Sequence, residues 1–227
     1  MATLAQLEQA TVDVVKSLNR TTHSTALKRW ANQAVRRILL DTGVKVTEST
    51  VSLTAGTYKY TLDASAMRIK AAIYEGDPDK VLEQVSPEEI DRLQARGADS
   101  SESIWYYALE GTDFFMLYPT PSDSGTITLR VVAKPTEMSS DAHDPSNATY
   151  GGIPVEHHDA IEFFMCWRAC QYDRTEAFGF GQTFKDLYEA ELRRIRRAVN
   201  TKGGTTLPRG RVGRSRYLPS DPSADFR

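Results

Sequence analysis

The chain has 227 residues, of which 40% are apolar and 26% are charged, an ordinary globular composition. No run of the sequence approaches the roughly 18 consecutive apolar residues of a membrane-spanning helix, and the N-terminus lacks the pattern of a signal peptide. Two cysteines, Cys166 and Cys170, lie one helical turn apart in an apolar run. This spacing argues against a disulfide framework and predicts buried thiols in a reducing compartment.

The net charge of -2 hides an asymmetry between the two ends of the chain. Residues 182–227 contain 11 basic and 5 acidic side chains, whereas residues 1–181 contain 17 basic and 25 acidic ones. An acidic body with a basic end predicts electrostatic contacts, either with other copies of the chain or with another acidic surface.

Two helices are predicted at the beginning of the chain. The first is marked by apolar residues at helical spacing: Leu4, Leu7, Val14, Val15 and Leu18. Ser24 is the predicted N-cap of the second helix, and Gly43 lies where that helix would end. The apolar face of the second helix consists of Leu27, Trp30, Ala31, Ala34, Val35 and Ile38.

The apolar pattern then changes to a period of two residues, which is typical of strands. Strands are predicted around Val51 and around Tyr60, and then over residues 68–74, 103–109, 114–118 and 126–133. Gly111 closes a predicted hairpin, and Ser86 caps a short helix that runs to about residue 96. About six strands with one helical excursion predict a small barrel or sandwich.

A long polar connection over residues 134–153 leads to a second pair of helices. Nine of the eleven residues from 160 to 170 are apolar, so this helix is predicted to be buried on nearly all sides. The final helix, over about residues 182–199, carries an apolar stripe formed by Phe184, Tyr188, Leu192, Ile195 and Val199. Near its end lies a basic helix face formed by Arg193, Arg194, Arg196 and Arg197.

The last segment, residues 201–227, has too little apolar surface to form a core, but isolated apolar residues lie between its arginines. This composition predicts an extended arm that folds on a partner, and a disordered solubilising tail is the alternative. The candidate docking residues of the arm are Leu207, Arg209, Arg211, Val212, Arg214, Arg216, Tyr217 and Leu218.

Together these elements predict an α+β fold. A helical bundle formed by residues 1–43 and 154–200 is interrupted by an inserted small β-barrel or β-sandwich domain at residues 44–133. Residues 134–153 form the connecting loop, and residues 201–227 form the extended basic docking arm.

The sequence contains no catalytic or cofactor-binding motif: a nucleophile elbow, a Walker loop and a dinucleotide-binding glycine pattern are all absent. We therefore expect no enzyme activity and no cofactor. The carboxylates Glu102, Glu110 and Asp113 lie at strand ends and a turn, where such residues are common. No metal site is expected either, because the adjacent His157 and His158 point about 100° apart on a helix. The other candidate ligands near them are Asp141, His143, Asp144 and Asp159.

Two binding functions remain open at this point. Trp105, Tyr106 and Tyr107 could stack on a glycan or on single-stranded nucleic acid, although alternating aromatic residues more often form a core. The arginines of the basic helix face and of the arm could follow nucleic-acid phosphates or dock in an acidic protein groove.

Five short strings occur in a fixed order between residues 24 and 199. They are WANQA from Trp30, GTYKYTL from Gly56, YPTP from Tyr118, Pro135 with Met138, and Pro154 followed by HDAI from His158. In order and spacing they resemble the head–tail connector (adaptor) proteins of tailed bacteriophages.

The resemblance implies a structural virion protein that forms a ring, dodecameric in such families, with an arm reaching into the portal ring. The implied partners are the portal protein, a downstream tail or stopper protein, and double-stranded DNA that passes through the channel without sequence-specific binding. No membrane partner is implied. The implied location is the head–tail interface of the virion, after assembly in the host cytoplasm. The alternatives are a β-domain module of a phage tail or surface that recognises glycan, and a nucleic-acid-binding protein.

Overall fold

The computed structural model of the protein describes residues 2–75, 80–96, 104–172 and 179–202. The helices in these ranges are α1 (Leu4–Val14), α2 (Arg20–Thr42), α3 (Pro87–Ala95), α4 (His158–Tyr172) and α5 (Gly181–Lys202). The strands are β1 (Thr47–Leu53), β2 (Lys59–Thr61), β3 (Ala66–Tyr74), β4 (Glu83–Gln84), β5 (Tyr106–Glu110), β6 (Phe114–Tyr118) and β7 (Gly125–Ala133). Short 3-10 turns occur at Ala148–Tyr150 and Val155–His157.

The starts of the first two helices are fixed by side-chain caps. Thr3 forms a capping box with Gln6 at the start of α1. At the start of α2, the Asn19 side chain accepts hydrogen bonds from the backbone amides of Thr21 and Thr22 at 2.9 and 3.3 Å. The predicted cap at Ser24 is therefore wrong, because Asn19 caps the helix one turn earlier and its first turn is polar.

The end of α2 agrees with the prediction from the sequence, whereas the end of α1 does not. Gly43 ends α2 in the left-handed conformation, with φ of 59°, as predicted. Helix α1 ends at Val14, so Leu18 lies beyond it in the connecting turn, yet it is still buried. Leu18 is therefore part of the buried core although it does not belong to the helix.

Helices α1, α2, α4 and α5 bury one shared hydrophobic core, in which the largest fully buried side chain is Trp30. Helix α4 contacts each of the other three, and none of its residues from 160 to 170 is exposed, which confirms the predicted burial. Val132 of strand β7 enters the same core. The sheets and the helices are therefore joined through apolar packing as well as through the chain.

The strands form two sheets, ordered β1-β7-β3 and β2-β6-β5-β4. All strand pairs are antiparallel except β4 with β5, which is parallel. Ile127 and Leu129 from the first sheet and Phe115 and Leu117 from the second belong to one buried cluster. The residues that the structure describes form no closed barrel, so the barrel alternative is wrong and two packed sheets take its place.

Most of the predicted local features of this region are present. The β5–β6 hairpin turns at Gly111, whose φ is 64°. Ser86 caps α3 by accepting from the Glu89 amide at 3.3 Å. Strand β4 was not predicted, because two exposed polar residues, Glu83 and Gln84, show no alternation.

The connection over residues 134–153 lies against α1 and α2 rather than extending away from them. The Asn32 side chain donates to the Met138 carbonyl at 3.0 Å and accepts from the Met138 amide at 2.7 Å, and Met138 is buried. Arg36 pairs with Glu137, and the Leu4 amide donates to the His143 carbonyl at 2.8 Å. This loop therefore ties the first two helices to the start of α4.

Candidate docking surface

The basic helix face is held outward by the buried stripe of α5. Tyr188, Leu192 and Ile195 are buried in the helical core, as predicted. Because these residues fix the rotation of the helix, the four arginines must lie on its solvent side. All of them, Arg193, Arg194, Arg196 and Arg197, are exposed.

The four arginines do not form one surface. Arg193 and Arg196 line a groove of about 620 Å³ between α2, α4 and α5, which we call the α5 groove. Arg194 and Arg197 do not line it, and Arg194 instead pairs with Glu191 at 3.0 Å. The floor of the α5 groove consists of Trp167, Tyr188 and Leu192, and its rim of Arg37, Asp41, Lys185, Glu189, Arg193 and Arg196.

The Tyr188 hydroxyl is the unusual group of the α5 groove. Its oxygen is buried and has no hydrogen-bond partner among the described residues. Burial, with a smaller contribution from the Asp41 carboxylate, raises the pKa of Tyr188 well above its ordinary value, although Arg37 and Arg196 act in the opposite direction. The phenol is therefore neutral and keeps a proton that it can donate.

The rim is only partly neutralised. Arg196 donates from Nε to the Asp41 carbonyl at 3.1 Å, and Lys185 lies 3.9 Å from Glu189. The Arg37 guanidinium lies 5.7 Å from the centre of the Phe164 ring. Within the described ranges, neither Arg37 nor Arg193 forms a salt bridge, so both can bind an anionic group from outside.

The predicted docking residues of the arm lie outside the described residues, which end at Lys202. They are Leu207, Arg209, Arg211, Val212, Arg214, Arg216, Tyr217 and Leu218. Helix α5 runs to Lys202, three residues beyond the end predicted for it. The arm thus follows directly from the helix that carries the α5 groove.

Two of the three histidines considered as metal ligands, His143 and His158, have structural partners. His158 contacts the Ile153 carbonyl through Nε2 at 3.1 Å, and burial lowers the pKa of this imidazole. His143 accepts from the amides of Ser139 and Ser140 through Nδ1 and contacts the Tyr150 hydroxyl through Nε2 at 3.0 Å. No group of three potential metal ligands occurs in the described part of the chain.

Two of the nearby acidic residues have partners of their own, and the two cysteines are buried. Asp141 pairs with Arg20 and Lys28, and the side chain of Asp144 accepts from the Ser146 amide at 2.8 Å. Cys166 and Cys170 are buried thiols, as predicted. Burial raises the pKa of the Cys166 thiol to about 12, so this sulfur is a poor nucleophile.

The aromatic run of β5 is not a stacking platform. Tyr107 is only 3% exposed and packs on Phe115, and Tyr106 stacks on Tyr118. Trp105 is 55% exposed, and the Lys80 ammonium lies 3.4 Å from the centre of its ring. One exposed ring is therefore available where three were considered.

The two described carboxylates that were considered for catalysis each have another partner. Glu110 binds Lys59, and Asp113 accepts from the Thr112 hydroxyl at 2.9 Å. Glu102 lies outside the described residues.

The α5 groove itself was missed by the sequence. Tyr188 was recognised as part of the α5 stripe, but no pattern in the sequence joins it to Arg37 of α2. They meet only because α2 and α5 pack against each other through residues more than 140 positions apart. A charged residue just beside an apolar stripe is the one signal that was available.

Comparison with protein families identifies the chain. The family model of the SU10 adaptor protein matches residues 2–212. The chain belongs to this family of phage adaptor proteins. The match spans all the described elements and extends past α5 into the arm. No curated protein matches the chain.

Membership of the SU10 adaptor family confirms the resemblance found in the sequence. It supports a structural adaptor role, contacts with portal and tail proteins, and a place in the virion. It also favours a protein without enzyme activity. None of the helices in the described ranges has the length and apolar content needed to cross a bilayer.

Proposed function

We propose that this SU10 adaptor is a head–tail connector. Copies of it form a ring under the portal, join the capsid to the tail and leave a channel for DNA. The observation that carries the proposal is the family match over residues 2–212, which includes the helical core, both sheets and the beginning of the arm.

The ring has the portal protein above it and a downstream tail or stopper protein below it. A dodecamer is the expected ring order, because connector families of this kind form twelve-membered rings on the portal. Head-to-tail contacts between copies close into a ring when the rotation permits. The excess of acidic side chains over residues 1–181 suits a channel through which DNA slides without specific binding, since phosphates are repelled.

The architecture proposed for this role is a helical bundle interrupted by the two-sheet region. Its support is the shared core of α1, α2, α4 and α5, which come from both ends of the chain. The sheets between them bury a separate apolar cluster. The bundle holds the adaptor in the ring, and the sheets extend from it.

The arm is the proposed portal-docking element. It follows from α5 at Lys202, and its alternating arginines and apolar residues suit an extended segment that orders on a protein surface. Arginine forks form paired hydrogen bonds with carboxylates. The apolar residues, such as Tyr217 and Leu218, provide contacts that salt does not screen.

Truncation after Lys202 tests the arm. The deletion leaves every residue of the described helical core in place, so the melting temperature is expected to change by no more than a few degrees. Binding to the portal protein, measured by biolayer interferometry, is expected to be lost. Portal binding by the truncated chain at the affinity of the full chain would refute the docking role.

The competing functions predict different results for DNA binding and for glycan binding. If the arginines serve nucleic acid, changing Arg209, Arg211, Arg214 and Arg216 to alanine abolishes tight binding to duplex DNA at physiological salt and leaves portal binding intact. If the sheets recognise glycan, Trp105→Ala abolishes binding on a glycan array. The connector role predicts weak, strongly salt-dependent DNA binding and no glycan signal.

A further inference from the structure

Three features of the α5 groove together are typical of a binding site: its shape, a polar group in its floor and the charge of its rim. It is a concave space of about 620 Å³. Its floor contains the buried Tyr188 hydroxyl without a partner in the described residues. Buried polar groups are almost always hydrogen-bonded, and an unpaired one is costly. None of the described residues supplies an acceptor for this hydroxyl, so the groove is suited to a group that brings one.

The rim indicates the charge of the missing group. Arg37 and Arg193 surround the floor and form no salt bridge inside the described residues, and Arg196 has its Nε directed to a backbone carbonyl. Two guanidinium groups beside a protonated phenol, whose O–H can donate, are complementary to a carboxylate. Such a group would receive charge-assisted hydrogen bonds from both sides.

The chain itself carries carboxylates of the right kind on another surface. Residues 44–133 contain 14 acidic and 8 basic side chains. On α3, Glu88 and Asp91 are exposed and form no salt bridge with a described residue, whereas the neighbouring Glu89 is paired with Arg92. Helix α3 is anchored from below by Ile90, which is buried, so these carboxylates are presented on a fixed element.

We propose that the α5 groove is the site where the next copy of this chain inserts the carboxylates of α3. The proposal rests on the ring described above and names the contact that repeats around it. Arg37 and Arg193 bind Glu88 and Asp91 of the neighbouring copy, and the Tyr188 hydroxyl donates to one of these carboxylates. Because groove and helix are different surfaces of one chain, the contact is head-to-tail and can be repeated at every subunit boundary.

Charge reversal in full-length protein tests the groove. The double variant Arg193→Glu/Arg196→Glu reverses two rim residues. The matched control, Arg194→Glu/Arg197→Glu, makes the same change on the same helix but outside the groove. Wild type and both variants are titrated onto the purified portal protein, and the number of adaptor copies per portal is counted by native mass spectrometry.

The groove variant is expected to need at least about ten-fold more protein to complete the ring, since like charges facing each other across an interface cost several kcal/mol. The control is expected to stay within about two-fold of wild type, because exposed charges outside a contact matter little. Tyr188→Phe keeps the packing of the aromatic side chain and removes only the hydroxyl. It is expected to raise the protein concentration needed to complete the oligomeric ring by about three-fold or more.

A charge exchange identifies the partner surface. Adding Glu88→Arg/Asp91→Arg to the groove variant restores opposite charges across the contact, and ring completion is expected to return towards the wild-type concentration. A loss that this exchange does not rescue overturns the assignment of α3. Loss of duplex DNA binding in the groove variant with normal rings would show that the groove binds phosphate instead, and would also overturn it.

The test separates this inference from the connector role. Complete wild-type rings together with equal assembly of groove variant and control would refute only the groove contact. If the wild-type chain binds the portal without forming a ring, the proposed function fails and the groove contact fails with it.

Discussion

The helical core and the two-sheet region are stabilised in different ways. The buried residues with charged, imidazole or threonine side chains in the described structure are Glu8, Thr11, Thr42, His157 and His158. All of them belong to the helices or to the turn before α4. The buried cluster between the sheets is formed by apolar residues and Tyr107.

This difference matters because polar contacts depend on specific partners, whereas apolar packing depends mainly on volume and pattern. In the helical core, the Glu8 side chain is 1% exposed, and its Oε2 accepts a hydrogen bond from Arg20 Nε at 3.0 Å. Arg20 also binds Asp141 of the loop, so one ion-pair chain joins α1, α2 and the loop. The strand region should therefore tolerate changes of pH and charge that weaken the helical core.

The largest expected effect is on packing in the helical core. Phe164 is 2% exposed between Trp167 and Tyr188, and Phe164→Ala is expected to lower the free energy of unfolding by about 3–5 kcal/mol. Chemical denaturation followed by circular dichroism at 222 nm measures this loss. The control Phe180→Ala removes a ring that is 66% exposed and should cost less than about 0.5 kcal/mol.

A loss below about 1 kcal/mol for Phe164→Ala would mean that α4 is not at the centre of the core. Phe115→Ala is the counterpart between the sheets, where the ring is fully buried. It is expected to cost a similar amount, because ring burial does not depend on which cluster contains it.

An intermediate effect is expected for the buried carboxylate. Arg20→Ala leaves Glu8 buried without its cation, and we expect a loss of about 2 kcal/mol, below the full value for a buried pair because Arg20 is one-third exposed. The control Arg36→Ala breaks a pair with the exposed Glu137 and should cost less than about 1 kcal/mol. Thermal and urea unfolding of both variants at low and high salt provide the measurement.

The double replacement Arg20→Met/Glu8→Met sharpens the same point. Removing both charges should recover much of the stability lost in Arg20→Ala, because the cost arises from the unpaired carboxylate. If Arg20→Ala and Arg36→Ala are equally harmless, the ion pair is not a feature that distinguishes the helical core.

The smallest expected effect is a pH dependence from His158. Burial lowers the pKa of this imidazole in the folded chain below its ordinary value of 6.5. The unfolded chain then binds more protons, so stability is fully present above about pH 6.5 and falls below it, by at most about 1.4 kcal/mol per pH unit. Unfolding curves between pH 7.5 and 5 for wild type and His158→Gln measure this slope.

Glutamine can still donate to the Ile153 carbonyl, which His158 contacts, but it does not titrate. The variant should therefore show a flatter pH profile at similar stability near neutral pH. An unchanged profile would assign the acid sensitivity to another group.

The sequence predicted the elements whose partners lie nearby in the chain. The stripe of α5, the buried α4, the hairpin at Gly111 and the cap at Ser86 were all recognised, because each is a local pattern. The family was recognised from short strings in a fixed order, and the family match confirms it.

The features that were missed depend on contacts over long separations or on weak signals. Asn19 caps α2 although Ser24 was equally suitable by residue type, because the side chains at 20–23 are compatible with an exposed first turn. Arg193 and Arg196 line the α5 groove, whereas Arg194 and Arg197 do not. This division can be predicted only when the position of α2 is known. The Glu8–Arg20–Asp141 chain requires the fold of the loop.

Electron microscopy of the full-length protein mixed with its portal protein tests the central claim most directly. The connector role predicts an added ring of uniform size on one face of the portal, coaxial with its channel, and twelve copies in a reconstruction. The chain truncated after Lys202 should leave the portal bare. Portal particles without added density, or single copies bound away from the channel axis, would contradict the account.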